Sequence, residues 1–254
     1  MPCHSKFSEI KTLVDANQAV MLTGEKGTGK TTLAQQVAES LKLEFFVISM
    51  TRQTTLSFLL GFRNVKGVYI PTELRRAVEE GGLMLLDEID AADPNVLLSL
   101  NTLENGYLPF PDGIVKCHPD FRLMATANPQ DQHQHYTGRS KLDAATLDRF
   151  DIIDIDRDDA LEATLVDRET LRFINVMRET AAEANSDIVV SMRDSLKYQL
   201  RKKLGLLDGF VLKVLGNNKD IHEQYQERIR NLPKFTNQAE CKTFDDLVTL
   251  LQHN

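Results

Sequence analysis

The chain contains three cysteines in 254 residues: Cys3, Cys117 and Cys241. A set this sparse and odd forms no disulfide framework and points to a reducing compartment. Long apolar runs are absent too, and no segment approaches the ~18 consecutive apolar residues of a membrane span. Residues 1–17 carry Lys6, Glu9, Lys11 and Asp15 and read as neither a signal peptide nor an anchor. Basic charge is in short supply, with 30 basic against 37 acidic residues and a net charge of −7. That balance argues against a protein that coats nucleic acid by bulk charge and leaves a local basic groove open. The chain shows no internal repeat and no low-complexity linker. Hydrophobic residues make up 42% and charged residues 26%, a globular composition that rules out disorder as the main state. A chain of this length buries roughly 70–75% of its unfolded surface and needs neither disulfides nor metal to fold. The expectation is a soluble, cytoplasmic protein.

Short apolar runs alternate with longer helical patterns through the first part of the chain. Strands are predicted at residues 19–23 (AVMLT), 45–50 (FFVISM), 83–86 (LMLL), 121–127 (FRLMATA) and 151–155 (DIIDI). Helices are predicted between them at 31–43, where Leu33, Val37 and Leu41 recur every four residues, and at 72–80 and 94–104. Asp93 is placed to cap the last of these ahead of Pro94 in its first turn. Continuous apolar strands separated by helices indicate a parallel sheet covered on both faces. After Asp156 the texture changes to helix-forming sequence, clearest at 161–184, 194–204 and 218–231, with residues 188–190 as the one strand candidate. The expected organisation is an α/β nucleotide-binding core over residues 1–157 and an all-helical second domain over 158–254.

The octapeptide Gly24-Glu25-Lys26-Gly27-Thr28-Gly29-Lys30-Thr31 fits the pattern G-x-x-x-x-G-K-[ST] without deviation. It follows a predicted strand and opens a predicted helix, the context of a phosphate loop. Glycines let the backbone wrap close to phosphate oxygens with successive N–H groups pointing inward, and the helix N-terminus adds its positive dipole end. Lys30 is expected to reach the β- and γ-phosphates of ATP and the Thr31 hydroxyl to ligate Mg²⁺, with Thr32 next in the same segment. A chance match in a chain this long has odds on the order of one per cent at ~7% average glycine usage. Leu83–Leu86 leads into Asp87 and Glu88, two carboxylates at the end of an apolar strand, where ligands of such sheets bind. Asp87 can hold Mg²⁺ through its water shell, and Glu88 can polarise an attacking water. Asp90 and Asp93 read as solvated charge or helix capping.

The order of phosphate loop, LMLLDEID, ATANP (residues 125–129) and TLDRF (146–150) resembles AAA+ ATPases. The stretch from Gly67 to Pro129 is similar to the MoxR and dynein-related branch, which includes the CbbQ/NorQ activators, the gas-vesicle N-type proteins and the ATPase subunit of cobaltochelatase. The resemblance covers residues ~18–157 and extends to the helical remainder only in kind, as a lid. It implies a P-loop NTPase fold with a five-stranded parallel core and a C-terminal helical lid. It also implies a sensor-1 role for Asn128, for which a plain Asn-Pro turn is the alternative. Arg149 matches an arginine finger that completes a neighbouring subunit's site. Arg193, in Ser191-Met192-Arg193, matches the sensor-2 arginine; for both, a surface arginine is the alternative. Arg139 and Lys141 stand near the finger and are further interface candidates.

Two inserts go with that branch, here within residues 52–71 and 106–119. Pro111-Asp112-Gly113 forms a good turn between two partly alternating runs independently of any family. The resemblance points both inserts toward a ring's central pore, with Tyr107 and Phe110 as contact candidates and a packed surface hairpin as the alternative. Cys117, His118, His133 and His135 match no standard zinc spacing and read as turn and loop residues. The leading expectation, which the resemblance implies, is a hexameric ring that hydrolyses ATP to remodel or activate a partner protein, with a von Willebrand factor A-domain protein as one candidate. A nucleic-acid motor of the McrB or clamp-loader kind is the second reading, and a monomeric small-molecule kinase is the third.

Overall fold

The computed structural model describes residues 2–128, 142, 144–184, 188–207, 209–216 and 218–231. The chain divides into two compact units: one holds residues 6–25 and 30–155, and the other holds residues 1–5, 26–29 and 156 onward.

Among its described residues the first unit carries nine strands: β1 (Val20–Thr23), β2 (Phe45–Ser49), β3 (Phe62–Arg63), β4 (Tyr69–Ile70), β5 (Gly82–Asp87), β6 (Tyr107–Phe110), β7 (Gly113–Lys116), β8 (Phe121–Ala127) and β9 (Asp151–Asp154). Five of them form one parallel sheet in the order β2-β5-β8-β1-β9. All five expected strands are present, with ends shifted by at most one residue. Alternation along β5 explains why its apolar run is continuous. Met84 and Leu86 join one core layer with Phe46 and Ile48, and Leu83 and Leu85 join the opposite layer with Val20 and Leu22. Successive side chains of a strand point to opposite faces, so a strand covered on both sides must be apolar at every position.

Helix α1 (Phe7–Asp15) buries Ile10 and Val14 and α2 (Lys30–Leu41) buries Leu33, Ala34, Val37 and Ala38 in the second layer. Each isoleucine, leucine and valine among them contributes roughly 1.5–3 kcal/mol on full burial. Helix α3 (Leu56–Leu60) and α4 (Glu73–Glu80), which buries Leu74, Ala77 and Val78, serve the first layer. Thr72 caps α4 by accepting from the Arg75 N–H. Two hairpins, β3-β4 and β6-β7, form separate two-stranded sheets, the second turning at Pro111-Asp112 as the sequence indicates. Arg75 ties them together. Its guanidinium pairs with Asp112 at 2.7 Å and lies over the rings of Tyr69 and Phe110.

The helix expected over 94–104 is instead a single α-turn, α5 (Pro94–Leu97), followed by a 3₁₀ stretch over Leu98–Asn105. Three residues per turn stack Leu97, Leu100 and Leu103 on one face, and these three turn inward. Asp93 caps α5 as expected, accepting from the Asn95 N–H. Asp90 is 2% exposed, which corrects its reading as solvated charge. The unit's last helix is α6 (Ala144–Leu147).

The second unit is helical: α7 (Asp159–Leu165), α8 (Arg168–Glu183), α9 (Met192–Leu204), α10 (Phe210–Leu215) and α11 (Lys219–Arg230). The helix expected over 161–184 breaks where Val166 is extended and Asp167 restarts the chain as an N-cap bonded to the Thr170 N–H. Residues 188–190 join no strand. The core gathers Ile174, Met177, Tyr198, Phe210 and Leu215, with Tyr198 stacked on Phe173 and edge-on to Phe210. Burial pushes the Tyr198 hydroxyl up to about 12. Glu162, fully buried, receives both Nη groups of Arg178 at 2.7 and 2.9 Å and the Ser195 hydroxyl. Arg178 Nε donates to the Val190 carbonyl at 3.0 Å, so one ion pair binds three helices to the segment that opens α9. Breaking such a buried pair by removing one partner typically costs about 3–5 kcal/mol.

Candidate functional site

The carboxyl ends of the parallel strands assemble a polar cluster. Gly24 follows β1 with φ +147°, and a Cβ there would overlap the Ile155 carbonyl, so glycine is required. Lys30 opens α2 and folds back into the loop, donating to the Gly24 and Glu25 carbonyls at 2.7 and 2.8 Å. It is 9% exposed, a cation held between two backbone carbonyls. Thr31 Oγ1 donates to Asp87 Oδ1 at 3.2 Å, the pairing expected of two groups that share one metal shell. Thr32 is half-buried beside them, and Glu25 and Lys26 are exposed.

Thr126 was not singled out by the sequence pattern, yet it is the hub of this cluster. Its hydroxyl donates to Asp87 Oδ1 at 2.6 Å and accepts from the Glu88 N–H at 2.9 Å. It lies two residues before Asn128 on the adjacent strand and is 1% exposed, and a buried threonine at a strand end was the available signal. Glu88 stands just past β5 with φ 56° and ψ 45°. A non-glycine residue in that left-handed region holds roughly 1 kcal/mol or more of strain, an arrangement concentrated at functional positions. Asn128 directly follows β8 and is 6% exposed. Asp87, Glu88, Thr126 and Asn128 thus lie on the neighbouring ends of β5 and β8, which pair in register.

Arg149 stands elsewhere. It precedes β9 and shares a cavity wall with Gln18 and Ala19, at the amino ends of the strands. The length of β1, roughly 13 Å at 3.3 Å per residue, separates that end from the loop. Arg149 Nε pairs with Glu104 Oε1 at 2.5 Å, and its side chain is 14% exposed. The cavity of about 320 Å³ is walled by Leu97, Leu100, Leu103 and Phe150. Cys117 lines it too, and burial pushes that thiol above its ordinary value. No group of three or more metal-ligating side chains occurs among the described residues. His133, His135, Arg139, Lys141, Pro129 and Cys241 lie outside them.

In the helical unit, loop residues 26–29 meet the start of α9. Gly27 has φ +83°, and a Cβ there would stand 2.6 Å from the Ser191 Cβ and Oγ. Ser191 and Asp194 close a capping box, and two residues past Ser191 the Nε of Arg193 is buried without a hydrogen-bond partner. Within the core unit, the glycine-only bend at Gly24 and the inward-folded Lys30 fit a bound phosphate; within the helical unit, the close approach of Gly27 to Ser191 and the orphaned Arg193 Nε fit an anion. The Thr31–Asp87 pair fits a hard divalent cation.

A five-stranded parallel sheet with a phosphate loop after its fourth-ranked strand and two carboxylates on a neighbouring strand end defines an α/β P-loop ATPase fold. The family model for the AAA domain, dynein-related subfamily, matches residues 19–150, and the chain belongs to that family. An uncharacterized protein of Staphylococcus haemolyticus is 28% identical over 167 residues, covering 60% of each chain. One from Staphylococcus epidermidis is 29% identical over 165 residues, covering 59% of this chain and 60% of its own. The chain therefore spans about 60% of the length of these relatives. Among solved structures, NtrX from Brucella abortus is similar with a TM-score of 0.51 at 16% identity, over 83% of this chain and 49% of NtrX. That likeness concerns the fold. AAA domains bind nucleotide and support NTPase activity, and AAA ATPases commonly form oligomeric rings. No helix among the described residues is long and apolar enough to cross a membrane.

Proposed function

We propose that the protein hydrolyses ATP with Mg²⁺ as a ring, hexameric in the MoxR-like manner, and uses the energy to remodel or activate a partner protein complex. The observation that carries this reading is the hydrogen-bonded set Thr31–Asp87–Thr126–Glu88 at the strand ends beside Lys30. Gly24–Thr32 bind the nucleotide, with Lys30 leaving its two carbonyls for the phosphates. Thr31 and Asp87 would hold Mg²⁺, which would supply positive charge against the phosphates. Glu88 takes up the proton side of the attacking water and Asn128 orients that water. Arg193, in the helical domain (residues 158–254), takes the sensor-2 role, and residues 1–157 form the nucleotide-binding core.

Arg149 acts in trans. Its end of the sheet is remote from its own chain's loop, and its Nη groups have no partner among the described residues, because Glu104 engages only Nε. An arginine supplied this way contributes about 10³–10⁵ to turnover. The two hairpins, with Tyr107 and Phe110, serve contact with the partner, for which a von Willebrand factor A-domain protein in the cytoplasm is the favoured kind. The test mixes two inactive variants, Glu88→Gln and Arg149→Ala. Each is expected to bind ATP and to turn over at under a hundredth of the wild-type rate, and activity should return on mixing. Absence of recovery in rings shown to be mixed would overturn the trans assignment.

A further inference from the structure

Helix α9 carries Lys197 and Arg201 four residues apart, on one face, and α10 carries Lys213 across from them. Together with Val189, Asp194, Phe210 and Val214 they line a cavity of about 170 Å³ inside the helical unit. None of the three cations forms an ion pair among the described residues. The one acid in the wall, Asp194, is already engaged by the Ser191 N–H at 2.9 Å and the Ser191 hydroxyl at 2.7 Å. Arg201 lies over the Phe210 ring, 5.9 Å from its centroid, a contact that leaves the guanidinium charge uncompensated. Surface lysines on a soluble helix ordinarily diverge into water. Three cations facing one small space repel one another unless an anion sits among them.

We propose that this cavity is a phosphate-binding site, distinct from the phosphate loop, that takes a phosphate dianion free or at the end of a small phosphorylated molecule. Charge supports the assignment. Three cations against one carboxylate leave 3 − 1 = +2, the complement of a phosphate dianion, whereas a monocarboxylate leaves one cation unmatched. Shape supports it as well. Arg201 offers a planar fork and the two lysines offer mobile point charges, the mixture that surrounds a tetrahedral oxyanion. Buried Phe210 and half-buried Val214 give the pocket an apolar side, next to which each charge-assisted hydrogen bond is stronger than in water. The Lys197 ammonium supplies a second sign of strain. Burial pulls its pKa down, Arg193, Lys213 and Lys26 pull it the same way, and Asp194 alone opposes them. A bound dianion reverses that balance and secures the charged form.

The experiment uses the full chain carrying Lys30→Ala, which disables the phosphate loop. Inorganic phosphate is titrated by calorimetry at constant ionic strength, with acetate and chloride as parallel arms. Phosphate should bind and raise the melting temperature where acetate and chloride do not. Lys197→Met and Lys213→Met should each weaken phosphate at least tenfold, while Lys197→Arg retains most of the affinity. Phenyl phosphate separates the two sources: tighter binding than inorganic phosphate marks a phosphorylated ligand, and weaker binding marks free phosphate. Melting curves without phosphate report folding, and Lys213→Met carries the same expectation should Lys197→Met fail to fold. Equal responses to phosphate and acetate, or an affinity unchanged by both methionine variants, would overturn the site. Neither result touches the assignment of the phosphate loop, which fails only if the Lys30→Ala chain still binds ATP.

Discussion

The two ends of the parallel sheet are built on different principles. At the carboxyl ends, Thr31, Asp87, Thr126 and Glu88 are joined by three hydrogen bonds, and Lys30 is held between two carbonyls. At the amino ends, leucines at three-residue spacing and Phe150 wall a cavity whose charged groups are one ion pair, Glu104 with Arg149. Both ends use the same five strands, so the difference comes from what the loops deliver. At the carboxyl end, paired strands stop together and set short polar side chains within reach of one another. At the amino end, a 3₁₀ segment lays its apolar face across the gap. One end is organised to meet charge, and the other is organised by packing, with a single arginine at its rim.

That contrast can be broken most sharply at Lys30. Lys30→Ala removes a charged donor worth about 3 kcal/mol in such settings, so ATP and ADP affinity should fall by about 100-fold in an equilibrium titration. Retained affinity would mean that the carboxyl end is not the nucleotide site. An intermediate effect is expected at Thr126. Thr126→Val keeps the shape, leaves the buried Glu88 N–H without its acceptor and frees Asp87 from one donor, a change of about 2 kcal/mol. Turnover should drop roughly 30-fold while nucleotide affinity changes little, as measured by steady-state hydrolysis beside binding. The smallest effect belongs to the amino end. Glu104 is 57% exposed, and exposed ion pairs contribute about 0.5 kcal/mol or less. Glu104→Gln should leave the melting temperature within a degree or two, as read by thermal melts. A large loss of stability would show that the pair, and not the leucines, holds this end together.

How much of this was legible in the sequence follows the same division. The five strands could be read because burial on both faces forces continuous apolar runs, and the phosphate loop could be read because its chemistry demands fixed residue types at fixed spacing. Thr126 escaped because its role lies in pairing with Asp87, 39 residues earlier in the chain, and no local period records that. The 3₁₀ segment escaped because Leu97, Leu100 and Leu103 suit an α-helical stripe almost as well as a three-residue turn. The break at Val166-Asp167 was visible as an N-cap signal, and the strong helical pattern on either side obscured it. Helix α1 is short, and its inward face of Phe7, Ile10, Leu13 and Val14 is interleaved with polar residues, so the sequence reading takes residues 1–17 as a polar N-terminal stretch. The pocket formed by Lys197, Arg201 and Lys213 depends on how α10 returns to α9, a long-range fact that charge counting does not contain.

Thr126 has an alanine on each side, and strand alignment gives that arrangement its meaning. Leu86 lies opposite Ala125, so the next residues along, Asp87 and Thr126, come level. Slipping β8 by one position in either direction would set Ala125 or Ala127 there, with no hydroxyl to offer Asp87 and no acceptor for the Glu88 amide. Every apolar contact of the slipped strand would also move to the wrong layer. Under the proposed ATP hydrolysis, turnover serves as a gauge of correct assembly of the sheet: a chain whose central strands are misaligned by a single residue, however compact, would be catalytically silent.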